Sequence, residues 1–139
     1  VRIDELNSFL NSQLYSDMKR AKKLYREFRF SVMLPSSLFT EDPEKKRLFA
    51  DKKLLMQGVI DCIIEDADGN LHLIDYKTDR LTREALSDKS VAEEELSEAH
   101  ATQLSYYALA IEKIFGKAPL TTRIYSLHLG DTVNVKKTV

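Results

Sequence analysis

From Ile3 to Lys23, apolar side chains recur at Ile3, Leu6, Phe9, Leu10, Leu14 and Met18, a spacing that predicts one amphipathic helix. Its end is basic, with Lys19, Arg20, Lys22 and Lys23, followed by Arg26. The run reads first as a solvated face complementing the helix C-terminus and second as a phosphate-contacting patch. Leu24 to Leu34 predicts a strand stopped by Pro35. Ser36 to Lys53, polar and with Pro43 inside it, predicts a loop or a short helical excursion.

Beyond Leu54 the pattern changes period. The even positions Leu54, Met56, Gly58, Ile60, Cys62 and Ile64 form an apolar face, while the odd positions carry Gln57, Asp61 and Glu65. That alternation predicts a strand with polar groups on one side. Asp66-Ala67-Asp68-Gly69-Asn70 is a turn signal, and Leu71 to Thr78 completes a β-hairpin. Asp79 to Ser97 is polar, contains the acidic run Glu93-Glu94-Glu95, and has room for a short helix. Glu98 to Phe115 predicts a helix striped by Leu104, Tyr107, Ala108, Ile111 and Phe115, closed by Gly116 and Pro119. Thr121 to Leu129 and Thr132 to Val135 predict two closing strands around Gly130-Asp131. This order of elements predicts an α/β (α+β) fold, a mixed central sheet flanked by helices.

A chain of 139 residues with 43% apolar and 31% charged residues can bury one real core, and we expect residues 1–139 to form a single domain. The net charge of −1 provides no global field towards nucleic acid, so any DNA affinity must come from a local patch, a metal ion or a larger protein. Cys62 is the single cysteine, which excludes a disulfide within the chain and any multi-thiolate cluster; its apolar neighbours place it in the core. No apolar run approaches the roughly 18 residues of a membrane span, and no signal-peptide pattern opens the chain. The expectation is a cytoplasmic protein without a membrane partner. The first residue is Val1, which suggests a piece of a longer chain.

The hairpin carries the chemistry. With Ala67-Asp68-Gly69 as a three-residue loop and Gly69 left-handed, Asp66 pairs with Asn70 and Asp61 falls opposite Asp75. Their Cβ atoms would then lie roughly 4.5–5.5 Å apart on one face. A two-residue turn would set Asp61 against Tyr76 and split the acids between faces. We expect the longer loop. Lys77, two residues past Asp75, shares its face. Two carboxylates so close repel one another, and a shared divalent cation relieves the repulsion. Hard oxygen ligands favour Mg2+ or Mn2+, which can stabilise charge developing on a phosphate; Lys77 could position the attacking water or take part of that charge. An exposed ladder of acid–lysine pairs would have the same spacing. Leu73, Ile74, Val59 and Ile60 argue against it, because they predict that both strands are buried.

Gly58-Val59-Ile60-Asp61 followed by Ile74-Asp75-Tyr76-Lys77-Thr78-Asp79 resembles the paired G-x-I-D and D-Y-K-T motifs of RecB-family nucleases in the PD-(D/E)XK superfamily. Gln103-Leu104-Ser105-Tyr106-Tyr107 is similar to that family's Q-x-x-x-Y helix signature, and Tyr25 to Phe30 resembles its R-E-x-P-F strand, with Arg29 in place of proline. The likeness runs from about Ile3 to the C-terminus and is strongest to the C-terminal nuclease domains of AddA-type helicase–nucleases. It implies a restriction-endonuclease-like core and a Mg2+-dependent exodeoxyribonuclease acting on DNA ends in double-strand break repair by recombination, with an AddB-type partner subunit.

By the same resemblance Asp61, Asp75 and the main-chain carbonyl of Tyr76 would bind the metal and Lys77 would be catalytic. Gln103 and Tyr107, and more weakly Glu27, would support the site or the DNA strand; core packing explains Tyr107 equally well. A histidine that the family uses on an upstream helix has no match here. His100 shares the face of Gln103 and Tyr107 and reads as a supporting or surface residue. No G-x-x-x-x-G-K-[ST] loop is present, so ATP could act only through a helicase domain outside this chain. A non-catalytic DNA-binding or interaction module on the same fold is the alternative.

Overall fold

The computed structural model describes residues 2–135. In chain order they form α1 (Ile3–Leu10), α2 (Gln13–Arg20), β1 (Lys23–Pro35), a 3-10 turn (Ser36–Phe39), α3 (Pro43–Leu48), β2 (Lys53–Glu65), β3 (Leu71–Lys77), α4 (Arg83–Ser87), α5 (Lys89–Phe115), β4 (Thr121–Ser126) and β5 (Asp131–Asn134). The five strands lie in sequence order in one sheet. β3 runs antiparallel to β2 and parallel to β4, and β4 runs antiparallel to β5. The mixed sheet flanked by helices is the architecture the alternation of periods predicts.

Two compact units divide the chain: residues up to Phe28 with those from Ile60 onward, and Arg29–Val59. In the larger unit, strand alternation gives the sheet two apolar faces. On one, Cys62, Ile64, Ile74 and Tyr125 pack with Leu14 and Met18 of α2, and Phe9, Tyr76 and Leu127 border the cluster. On the other, Leu71, Leu73 and Ile124 are buried, and α5, which contacts β4 and β5, buries Ala101, Leu104 and Ile111. The smaller unit is the stretch Arg29–Val59. Its chain is closed by the Ser36 N–H donating to the Lys52 carbonyl at 3.0 Å. Phe30, Val32 and Leu34 are its buried side chains, whereas Leu38, Leu48, Phe49, Leu54 and Leu55 are exposed.

Two helices and one side chain differ from the sequence expectation. The first helix is two helices, because the Ser12 hydroxyl accepts from the Tyr15 N–H at 3.2 Å and starts a new helix. Apolar spacing passes across such a break unchanged. The long helix begins at Lys89 rather than Glu98, since Asp88 caps it by accepting from the Ser90 N–H at 3.0 Å; the acidic run is therefore helical. Val59, expected inside, is 39% exposed.

Candidate functional site

The turn determines the register of the hairpin. The Asp66 N–H donates to the Asn70 carbonyl at 2.9 Å, and the Gly69 N–H donates to the Asp66 carbonyl at 3.0 Å. Gly69 has φ +82, the left-handed conformation that a three-residue loop needs at that position. The Asp66 carboxylate locks the loop by accepting from the Asp68 and Asn70 N–H groups, each at 3.0 Å. Pairing then runs from Glu65↔Leu71 to Cys62↔Ile74. The pairing found ends there, one position short of Asp61 and Asp75, the two residues that the three-residue loop sets opposite each other.

At that point the ladder gives way to a side-chain bond. The Tyr76 N–H donates to Asp61 Oδ2 at 3.0 Å. The Tyr76 side chain lies on the opposite face, 5.7 Å from the Phe9 ring and 6.3 Å from the Tyr125 ring, so its main chain alone borders the acids. Asp75 is 4% exposed because β3 is flanked by both β2 and β4. The Lys77 ammonium lies 2.7 Å from Asp75 Oδ2, yet this buried oxygen meets no donor in hydrogen-bonding orientation. Burial pushes the Asp75 carboxyl up to about 6; the Lys77 contact opposes the rise, and the neighbouring Asp61 adds to it.

α5 supplies the next layer. Lys77 Nζ donates to Gln103 Oε1 at 3.2 Å, and Gln103 Nε2 donates to the Tyr107 hydroxyl at 3.1 Å. Gln103 and Tyr107 meet because they stand one helical turn apart. Asp75, Lys77, Gln103 and Tyr107 thus form a continuous polar chain from β3 to α5. Glu27 is not joined to it: it sits exposed in β1 with φ +47, the one positive φ among described non-glycine residues. His100, half-buried, pairs its Nε2 with Asp79 Oδ2 at 2.9 Å. Spacing alone does not mark Asp79 as a partner, although it closes the Asp75-to-Asp79 motif and faces the same helix.

Two opposed carboxylates, one of them buried and short of donors, suit a hard divalent cation. Among the described residues no group of three His, Cys, Asp or Glu side chains converges. The two acids would therefore bind an ion that keeps part of its coordination in water or substrate oxygens, as Mg2+ does. The arrangement is asymmetric: Asp61 has one oxygen tied to the main chain and Asp75 has one beside an ammonium, leaving one oxygen of each for a shared ion.

Residues 6–137 match the PD-(D/E)XK nuclease superfamily, and the chain belongs to it. Several relatives are named as ATP-dependent helicase/nuclease subunits. The Bacillus velezensis protein is 37% identical over 114 residues, covering 82% of this chain. Those of Bacillus mycoides and Clostridium perfringens strain SM101 are 33% and 30% identical, each over 99% of the chain. The chain spans only 9% to 11% of the length of these relatives. No helix among the described residues is long and apolar enough to cross a membrane.

Proposed function

We propose that residues 1–139 are the nuclease domain, at the C-terminal end, of a longer helicase–nuclease. It would act as a Mg2+-dependent exodeoxyribonuclease that hydrolyses phosphodiester bonds of single- or double-stranded DNA ends. In this reading the whole protein works in the cytoplasm with an AddB-type partner subunit in recombinational repair of double-strand breaks. ATP enters only through the helicase part, outside this chain.

One observation carries the reading: Asp75 is buried opposite Asp61 with the Lys77 ammonium 2.7 Å away. An exposed ion-pair ladder would need no such burial, and a carboxyl kept at a desolvated position is costly unless it has a task. Asp61, Asp75 and the Tyr76 carbonyl would hold Mg2+ or Mn2+. When bound, the metal supplies charge neutralisation at the phosphate and makes water more acidic. Lys77 would orient the attacking water or stabilise charge on the phosphate. Gln103 would hold the Lys77 ammonium towards the acids, and Tyr107 would hold Gln103. Glu27 would support the DNA strand from β1.

Degradation of single-stranded DNA with Mg2+ tests this against Asp75→Ala; equal activity in both proteins sinks the assignment. The second reading, a non-catalytic DNA-binding or interaction module on the same fold, is favoured by the absence of a third convergent ligand among the described residues. Calorimetric titration with Mg2+ or Mn2+ separates the two. Binding that Asp61→Asn abolishes supports the nuclease, and no binding supports the module.

A further inference from the structure

Two side-chain contacts join the end of β3 to α5, and they run in step. Lys77, the last residue of β3, donates from Nζ to Gln103 Oε1 at 3.2 Å. Two residues further along the chain, Asp79 Oδ2 lies 2.9 Å from His100 Nε2. His100 and Gln103 stand at i and i+3 on the helix, so both side chains project from one face. A carboxylate can only accept, so Nε2 carries the proton in this contact.

The pair is not what keeps the loop after β3 in place. On one side of Asp79, the Lys77 carbonyl accepts from the Leu127 N–H at 3.0 Å. On the other, the Leu81 N–H donates to His128 Nδ1 at 2.9 Å. Nor does the pair add much stability: the Asp79 side chain is 38% exposed and that of His100 20%, and water screens such a contact. Its worth lies in direction. Ala101 and Leu104, beside His100 and Gln103, are buried, but apolar burial is non-directional. A hydrogen bond demands a distance and an angle. An imidazole is also a short, stiff tether compared with the lysine or arginine of an ordinary ion pair. The Asp79–His100 contact therefore sets where along its axis α5 stands against the end of β3. Gln103 follows within one helical turn, and its carbonyl meets Lys77 from that position. The Lys77 ammonium, at the end of a flexible stem, is held between this carbonyl and Asp75 Oδ2, the latter at 2.7 Å.

We propose that His100, fixed by Asp79, is a positioning residue: it holds α5 so that Gln103 keeps the Lys77 ammonium beside Asp75. The consequence for DNA cleavage rests on the nuclease reading; the contact itself does not.

Steady-state cleavage of single-stranded DNA with Mg2+, together with side-chain amide spectra of the same chain, provides the test. His100→Ala should lower kcat about tenfold with KM within about twofold, because an interaction made in the transition state is lost while ground-state binding is kept. His100→Gln returns an N–H donor and should restore kcat to within about threefold of wild type. In a Gln103→Ala background, His100→Ala should cost nothing further, since its effect passes through Gln103. The Gln103 side-chain amide resonances should move in His100→Ala and return towards wild type in His100→Gln. Both His100 variants should melt within about 5 °C of wild type. An unmoved Gln103 amide, a raised KM with normal kcat, or an equal His100→Ala loss in both backgrounds overturns the proposal. So does a larger fall in melting temperature, or failure to fold, in His100→Gln. Asp75→Ala separates this proposal from the reading beneath it. If that variant cleaves as well as wild type while the Gln103 amide still responds to His100→Ala, the nuclease assignment falls and the positioning stands. If it is inactive while His100→Ala turns over normally, the positioning falls and the nuclease assignment stands.

Discussion

The main-chain N–H of Tyr76 donates to Asp61 Oδ2 at 3.0 Å, one position past the Cys62↔Ile74 pair of the β2–β3 ladder. A carboxylate thus takes the place of a strand carbonyl where the two strands stop pairing. Asp61 is held by this bond in the orientation in which it raises the proton affinity of Asp75. Structure and proposed chemistry share one carboxylate.

Charge and hydrogen bonding at Asp61 can be separated by substitution. Asp61→Asn keeps an acceptor for the Tyr76 N–H, so its stability should stay within about 1 kcal/mol of wild type. Asp61→Ala leaves that donor unmatched and should cost about 1–3 kcal/mol in urea unfolding. Both should abolish Mg2+ binding. Equal stabilities for the two variants would mean that the bond contributes nothing.

Metal removal should register in the melting temperature as well as in activity. Asp61 and Asp75 repel when both are ionised, and a cation that binds only the folded chain stabilises it in proportion to occupancy. Adding about 5 mM Mg2+ in place of a chelator should raise the melting temperature by several degrees. Asp75→Asn should show little of this rise. A full rise in the variant would place the ion elsewhere.

Gln103 tests the bridge between β3 and α5. Its amide lies at an exposed position and links Lys77 Nζ to the Tyr107 hydroxyl. Gln103→Ala should therefore change stability by less than about 0.5 kcal/mol. If the amide positions Lys77 for the reaction, nuclease activity should fall at least tenfold, a loss of about 1.4 kcal/mol of barrier lowering. Unchanged turnover would reduce the bridge to surface packing.

The hairpin is legible in the sequence because period and turn chemistry are local: a three-residue loop with Gly69 left-handed and alternation on both sides lead to the Glu65↔Leu71 to Cys62↔Ile74 register found. The break between α1 and α2 is not, because helical spacing continues through Ser12 and only its hydroxyl bond reveals a new start. The first turns of α5 are hidden by charge. Ala92 and Leu96 are buried there among acidic neighbours, too sparse to declare a stripe. Pairings between a helix and a loop, such as His100 with Asp79, depend on tertiary placement and leave no spacing signal.

Gly69 should be the most sensitive loop position. Its φ is +82, and a Cβ there would meet only the flexible Lys117 Nζ, at 3.6 Å. The cost of Gly69→Ala is then backbone strain alone, about 1–2 kcal/mol in urea unfolding. Gly69→Asn should cost less, since asparagine tolerates the left-handed region. A loss well beyond this for alanine would mean that the hairpin register has slipped and the two acids have separated.

Asp66 makes the turn sensitive to acid, and the sign follows from its partners. The contact with His72 and the bonds from the Asn70 and Asp68 N–H groups hold its carboxyl below the ordinary value of 3.8. A carboxyl depressed in the folded state adds stability above its unfolded pKa, and that contribution is lost as pH falls through the folded value. Asp66→Asn lacks the titration. The melting temperature of wild type should therefore exceed that of the variant at about pH 5, and the gap should close on acidification to about pH 2.5. The arm of this test that matters is direction: a gap that widens as pH falls would mean that Asp66 is held protonated in the fold, and the turn would then be locked by something other than its carboxylate.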